Sequence, residues 1–202
     1  MAKEILKFFA FFLTISFISC AINDKNYSKK CKEKPVDFSI DGINYFYNGF
    51  LKDSTDKRAT SWTIAREICK SYCSDLMSVD TQREFEEMQK MMEKHLIEYL
   101  WTSGHVCEKN NCDANSEPIN INGWMWLDKN IKMPPTNKIP PGWTFNPWSH
   151  TGHKNVQQPD NAEFDLFRRN ESCLAVLHNV YDDGIKFHDV ACYHKKNFFC
   201  ES

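Results

Sequence analysis

Apolar residues along the first half of the chain recur at helical spacing in two places. The first helix is predicted to open at Ser61-Trp62, and its apolar residues fall three or four positions apart on one face. These residues are Trp62, Ala65, Ile68, Cys69 and Tyr72. The pattern predicts an amphipathic helix that packs this face against a core.

A second helix is predicted to begin at Thr81. Thr81 and Glu84 have the spacing of a capping box, in which each side chain accepts a hydrogen bond from the other residue's backbone. The predicted apolar face consists of Phe85, Met88, Met92, Leu96 and Tyr99. We interpret this methionine-rich face as core, and a soft binding groove is the alternative.

The rest of the apolar pattern predicts strands. Apolar residues alternate around Asp41-Gly42, which indicates a β-hairpin over residues 38–47. Further strands are predicted at residues 100–102, 124–127, 173–177 and 197–200. Residues 107–150, interrupted by two Pro-Pro pairs, are predicted to be mainly loop. Helices first and strands later indicate an α+β domain.

The N-terminus has the pattern of a secretory signal over residues 1–21. Lys3 and Lys7 precede or flank an apolar run at residues 8–18, and Ser19-Cys20-Ala21 supplies small residues for cleavage. A membrane anchor is the alternative, but the run is shorter than the ~20 residues that span a bilayer. We therefore expect a polar lead at 22–30, one domain at 31–202, and secretion.

Charge excludes two classes of partner. Without Lys3, Lys7 and Glu4, the 25 basic and 27 acidic residues of the chain become 23 and 26, a formal charge of −3. This near balance argues against nucleic acids and against anionic membranes.

Cysteines and sequons agree with secretion. Nine cysteines become eight once Cys20 is removed, and an even number in a secreted chain indicates four disulfides among 105 connectivities. Zinc bound at residues 69–73 and 107–112 is the alternative. Asn26 and Asn170 begin Asn-x-Ser sequons for glycosylation.

Oxygen-bearing side chains cluster in the last quarter of the chain. Ca²⁺ prefers 6–8 oxygen ligands, mainly carboxylates, amide carbonyls and water. Such groups occur at Gln158, Asp160, Glu171 and Asp189. The spacing predicts a calcium site, and a polar surface loop is the alternative.

The spacing of these residues resembles that of the C-type lectin domain. Its motifs match Gln158-Pro159-Asp160, Glu171-Ser172-Cys173, and Phe187-His188-Asp189 followed by Cys192, Cys200 and Glu201. The resemblance covers residues 31–201. More narrowly, residues 101–104, 122–124 and 194–196 are similar to secreted arthropod C-type lectins.

The resemblance implies a C-type lectin-like fold with two helices, small antiparallel sheets and a long disulfide-stapled loop. It also implies the disulfides Cys69–Cys200, Cys173–Cys192 and Cys107–Cys112, which leaves Cys31–Cys73. Each bridge that closes a long loop would contribute about 2–4 kcal/mol.

The resemblance further implies a weak calcium site at Gln158, Asp160, Glu171 and Asp189, with Pro159 in a cis peptide. Vicinal sugar hydroxyls would complete the coordination of the ion. In this family the Gln-Pro-Asp motif accompanies galactose-type sugars.

Three aromatic or basic positions leave alternatives open. Trp148 or Trp143 could stack on a sugar, or could have a structural role. His188 stands where the family has Asn, and is either a metal ligand and sugar contact or a packing residue.

The favoured function is a secreted, calcium-dependent lectin that recognises microbial or cell-surface glycans. The alternative is a calcium-independent lectin-like domain that binds a protein. An enzyme is a third hypothesis, but His178, His188 and His194 lack zincin spacing, and no nucleophile motif occurs. We therefore predict no catalytic residues.

Overall fold

The structure, a computed structural model, describes residues 29–107, 112–113 and 115–202. Within these ranges it has the α+β architecture that the sequence predicts. The strands are β1 (Phe38–Ile40), β2 (Ile43–Tyr47), β3 (Asp75–Leu76), β4 (Tyr99–Val106), β5 (Trp124–Trp126), β6 (Ile131–Lys132), β7 (Cys173–His178), β8 (Ile185–Val190) and β9 (Asn197–Glu201). The α-helices are α1 (Trp62–Ser71), α2 (Gln82–Lys94), α3 (Ile119–Asn122) and α4 (Ala162–Phe167).

The predicted hairpin joins the N-terminal part of the domain to its last strand. Asp41 and Gly42 have positive φ angles of 50° and 86°, which a tight turn of this kind requires. β1 and β2 pair antiparallel on either side of that turn, and β2 also pairs with β9. The two ends of the domain are therefore held in one sheet.

Helix α1 begins at Trp62, as predicted, and buries Trp62, Ala65 and Cys69. The Trp62 indole Nε1 donates a hydrogen bond of 2.8 Å to the carbonyl of Thr102 in β4. This bond and the disulfide from Cys69 fix the helix against the sheet.

Helix α2 has the predicted capping box between Thr81 and Glu84. Its buried apolar residues include Phe85, Met88 and Met92, which confirms that the methionine face is core. The prediction was wrong for Leu96 and Tyr99. The helix ends at Lys94, so Leu96 is 83% exposed with a φ of 51°, and Tyr99 begins β4.

Strand β4 organises the second half of the domain. It pairs antiparallel with β5 and β7 and parallel with β9. β7 in turn pairs antiparallel with β8. One apolar cluster contains Phe85, Trp124 and Phe187, and the other contains Trp62, Trp101 and Phe198. The candidate site lies where β7 and β8 meet the loop before α4.

The predicted loop between residues 107 and 150 contains short elements. Helix α3 precedes the expected strand β5, which pairs with β6. Trp124 and Trp126 are buried, so the aromatic residues of this segment contribute to the core.

The structure has four disulfides, with the pairing that the resemblance implied. They are Cys31–Cys73, Cys69–Cys200, Cys107–Cys112 and Cys173–Cys192. Zinc binding by these cysteines is thereby contradicted. Residues 29–32 are helical and are tethered through Cys31 and through the ion pair of Lys30 with Asp56.

Three expectations concern residues outside the described ranges: the signal at 1–21, the lead at 22–28, and the sequon at Asn26. Among the residues that are described, no helix is long and apolar enough to cross a membrane.

Candidate metal and ligand site

Three of the predicted ligands converge. Carboxylate oxygens of Asp160, Glu171 and Asp189 all lie within 4.8 Å of one another. Asp189 belongs to β8, and Glu171 lies two residues before β7, which pairs with β8 through Leu174 and Asp189. The pairing of these strands brings both carboxylates to the loop that carries Asp160.

Backbone amides of that loop wrap around the carboxylates. Asp189 accepts hydrogen bonds from the N–H groups of Asp160 at 3.1 Å and Asn161 at 2.7 Å. Asp160 Oδ1 accepts from Ala162 N–H at 3.1 Å, and Glu171 Oε2 accepts from Glu163 N–H at 3.2 Å. The loop and the first turn of α4 are thus built on the acidic cluster.

The electrostatics of this cluster favour a bound cation. Burial, followed by repulsion from Asp189, raises the pKa of Glu171 to about 8. Burial also raises the pKa of Asp189 to about 7, although amides of the loop oppose the shift. In the described part of the chain no Lys, Arg or His side chain forms an ion pair with these three carboxylates. Asp160 Oδ2 is buried and has no hydrogen-bond partner among the described residues.

A divalent cation fits this donor set. The three carboxylates are hard oxygen ligands, they repel one another, and one of their oxygens has no partner, so a metal ion would satisfy all three conditions. Carboxylates with two oxygens each, completed by water or ligand hydroxyls, suit calcium better than a softer metal.

Gln158 lies in the same cavity as the carboxylates. Its side chain is buried, and its Nε2 has no hydrogen-bond partner within the described ranges. The Gln158–Pro159 peptide is cis, as the resemblance implied. The amide packs so closely on Gly152 that a Cβ there would lie 2.2 Å from Nε2. Because a half-turn exchanges Oε1 and Nε2, Gln158 can offer the cavity either a carbonyl oxygen or an N–H donor.

His188 is buried beside Asp189 but is not in the group of converging ligand atoms. Its Nε2 lies 3.9 Å from Asp183 Oδ2, and its ring centroid lies 5.3 Å from that of Tyr181. Burial lowers its pKa to about 4, so the imidazole is neutral near pH 7. These contacts support the packing interpretation, and a ligand role for His188 stays a prediction.

The expectation that Trp148 stacks on a sugar is corrected by the structure. Trp148 is 2% exposed, and its ring packs edge-on against Trp124 at 5.1 Å and Phe187 at 5.8 Å. Trp143 is also buried, against Phe85. Each of these rings has a large apolar area, and burial of that area favours a position in the core over one at the surface.

The cavity beside the carboxylates has a volume of about 370 Å³. Sequence reasoning missed several residues that line it, because they belong to none of the motifs that predict the site. Glu163 of α4 accepts a hydrogen bond of 2.8 Å from Tyr193 Oη and pairs with His194. The other missed lining residues include Tyr99, Tyr181 and Lys196.

The sequon residue Asn170 is exposed next to the site. Its Oδ1 accepts a hydrogen bond of 3.4 Å from Asn161 Nδ2, and Asn161 Oδ1 in turn accepts from Glu171 N–H at 2.9 Å. Glycosylation of Asn170 remains a prediction.

Comparisons with known proteins define the fold. No protein-family sequence model matches the chain, and no curated protein sequence does. Solved structures do match. SPL-1 in complex with GlcNAc superposes with a TM-score of 0.54 at 17% identity, over 86% of this chain and 96% of SPL-1.

Two further structures agree. The Ca²⁺-independent C-type lectin SPL-2 from Saxidomus purpuratus gives a TM-score of 0.52 at 17% identity, over 81% of this chain and 88% of SPL-2. The human scavenger receptor C-type lectin carbohydrate-recognition domain gives 0.51 at 19% identity, over 82% and 94%. The chain therefore has the C-type lectin-like fold.

Proposed function

We propose that the protein is a secreted carbohydrate-binding lectin whose sugar site is organised by Ca²⁺. Asp160, Glu171 and Asp189 would hold the ion, with Gln158 as a further oxygen donor. The observation that carries the proposal is the convergence of three carboxylates, without an ion-pair partner in the described chain, at the edge of a 370 Å³ cavity. The ion would supply coordination to sugar hydroxyls, and the chain's residues would orient both.

The proposed location, sugar preference and ligand class are each supported by a different observation. Four disulfides support an extracellular location. A preference for galactose-type sugars is supported by the Gln158-Pro159-Asp160 motif. Glycans as ligands are supported by the similarity in fold to proteins whose names describe sugar complexes or carbohydrate recognition.

A second candidate is calcium-independent binding of a protein partner. It is favoured by three exposed apolar residues of α4, Phe164, Leu166 and Phe167. The similarity to SPL-2, which is described as Ca²⁺-independent, also supports it.

Calorimetric titration with calcium separates the two candidates. We expect binding in the range of about 10⁻⁴–10⁻³ M that is typical of extracellular modules. Asp189→Asn should abolish this signal, because it removes a charged ligand and leaves one of the two loop N–H groups that donate to Asp189 without an acceptor. Asp182→Asn is the matched control, since Asp182 is exposed and does not line the cavity.

A glycan array with and without chelator then tests the sugar. Binding that requires both calcium and Asp189 supports the proposal. Full calcium affinity in Asp189→Asn, or glycan binding that is insensitive to chelator, would contradict the calcium-dependent mechanism.

A further inference from the structure

A second charged group, opposite in sign to the acidic cluster, lines the same cavity. Lys196 precedes β9 and is 9% exposed, whereas its neighbour Lys195 is exposed. The Lys196 backbone is fixed by two hydrogen bonds of 3.0 Å with Thr60. Its ammonium group lies 4.6 Å from the ring centroid of Tyr99 and 5.3 Å from that of Trp101.

The ammonium group of Lys196 has no anionic partner in the described part of the chain. Among the described residues, no carboxylate forms an ion pair with Lys196 Nζ, and no carbonyl or hydroxyl oxygen accepts a hydrogen bond from it. Burial lowers the pKa of Lys196 to about 8, although the charge of Glu163 acts in the opposite direction. Aromatic faces supply only part of the stabilisation that water provides to an ammonium group, so an acceptor oxygen on a bound ligand would complete it.

We propose that the cavity binds an acidic saccharide, whose carboxylate or sulfate group accepts hydrogen bonds from Lys196 Nζ. This inference rests on the proposed function, because hydroxyls of the same saccharide would reach the metal at Asp160, Glu171 and Asp189. The volume of about 370 Å³ is in the range of small-ligand sites. Tyr99 and Tyr181 line the cavity and offer apolar faces to a sugar ring.

The acidic residues of the cavity determine when an anion can enter. Glu163 is already hydrogen-bonded by Tyr193 and paired with His194, which reduces its repulsion of a ligand. Asp160, Glu171 and Asp189 would repel an anion until calcium neutralises them. The preference for acidic sugars should therefore be expressed with calcium bound.

The test compares matched neutral and acidic sugars, galactose with galacturonic acid and glucose with glucuronic acid. Affinities are measured by calorimetry at low ionic strength, once with saturating calcium and once with a chelator. The wild-type protein should bind the acidic member of a pair about tenfold more tightly, the usual size of one charge-assisted hydrogen bond. Lys196→Met keeps an apolar stem on the rings and should remove that preference. The control Lys195→Met should retain it.

A chemical measurement covers the case in which Lys196→Met does not fold. Wild-type protein is treated with acetic anhydride, and acetylation of Lys196 and Lys195 is read by peptide mass spectrometry. Galacturonic acid should protect Lys196 several-fold more than galactose does, and should leave Lys195 unprotected. Equal protection by the two sugars would overturn the anion site.

The outcomes separate this inference from the proposed function. Equal affinity for neutral and acidic sugars would overturn the anion site and leave the lectin proposal standing. A preference that survives in Lys196→Met would also overturn it, because the acidic group would then be bound by calcium alone. Failure to bind any of the four sugars would overturn both. Acidic-sugar binding that requires Lys196 but not calcium would support the anion site and contradict the calcium mechanism.

Discussion

Lys129 is the cation of a partly buried acidic cluster on the side of the domain formed by β3 and β9, and its removal gives a sharp test of the electrostatics. The Lys129 ammonium lies 3.2 Å from Asp80 Oδ1, 3.7 Å from Glu201 Oε1 and 4.0 Å from Glu84 Oε1. Glu201 is also held by Ser78, whose N–H and hydroxyl each donate at 3.1 Å. One cation therefore faces three carboxylates, two of which are buried.

The perturbation is Lys129→Met, which retains much of the aliphatic stem. Breaking a buried ion pair by removing one partner typically lowers the free energy of unfolding by about 3–5 kcal/mol. Because the Lys129 side chain is 24% exposed, we expect the lower part of that effect, about 2–3 kcal/mol. For a chain of this size the loss corresponds to roughly 4–12 °C in Tm.

The deficit should depend on pH. Burial, followed by the hydrogen bond and charge of Asp128, raises the pKa of Glu201 to about 9 in the folded protein, above its ordinary value of 4.5. Between those values the folded state holds a proton that the unfolded state has released, so this group's contribution to stability decreases as pH rises. Without Lys129 the ionised cluster is less stabilised. The deficit of Lys129→Met should therefore be larger at pH 8.5 than at pH 5.5.

Urea denaturation with the disulfides intact measures the free energy of unfolding at both pH values. Lys132→Met is the matched control, because Lys132 forms an exposed ion pair with Asp113 and should change stability by less than about 1 kcal/mol. A deficit for Lys129→Met no larger than that of the control, or one that is constant between pH 5.5 and 8.5, would refute the reasoning.

Three further predictions concern the core, the disulfides and the sequon. Trp148→Ala should lower the free energy of unfolding by about 3–5 kcal/mol, measured by urea denaturation, whereas a sugar-stacking residue would leave it nearly unchanged. Replacing Cys173 and Cys192 with Ser opens a loop with a sequence separation of 19 and should lower the free energy of unfolding by about 3 kcal/mol and weaken calcium binding. The same change at Cys107 and Cys112, separated by 5, should lower it by about 2 kcal/mol. Asn170→Gln should remove a glycan from protein expressed in a secretory host, seen as increased gel mobility; unchanged mobility and mass would show that the sequon is not used.

Elements whose signals are local were predictable from the sequence. The capping box at Thr81 and Glu84 and the turn at Asp41-Gly42 are each determined by residues within four positions, so their geometry does not depend on the rest of the fold. The C-terminal end of α2 was not predictable in this way. Leu96 continues the helical period, yet the chain turns with positive φ there so that β4 can begin at Tyr99.

The candidate site also contains residues that the sequence predicts and residues that it does not. The ligand positions Asp160, Glu171 and Asp189 could be predicted because their spacing resembles a known motif, and the structure brings them together. Trp148 and Lys196 could not be assigned correctly, since burial of a side chain is decided by contacts distant in sequence. Trp148 packs on Trp124, and Lys196 is covered by rings from β4.

The arrangement of the loop explains why ion, ligand and loop conformation should be coupled. Amides at residues 160–163 donate to the same carboxylates that would hold the ion, so the positions of the ligand oxygens and of the backbone are fixed together. In the absence of a cation these carboxylates repel one another, which is why burial and mutual charge raise the pKa of Glu171. A cation would remove that repulsion, stabilise the loop that forms one wall of the cavity, and lower the electrostatic barrier to an anionic group near Lys196. Calcium and an acidic saccharide would then each increase the affinity of the protein for the other, because binding free energies at two linked sites are reciprocal.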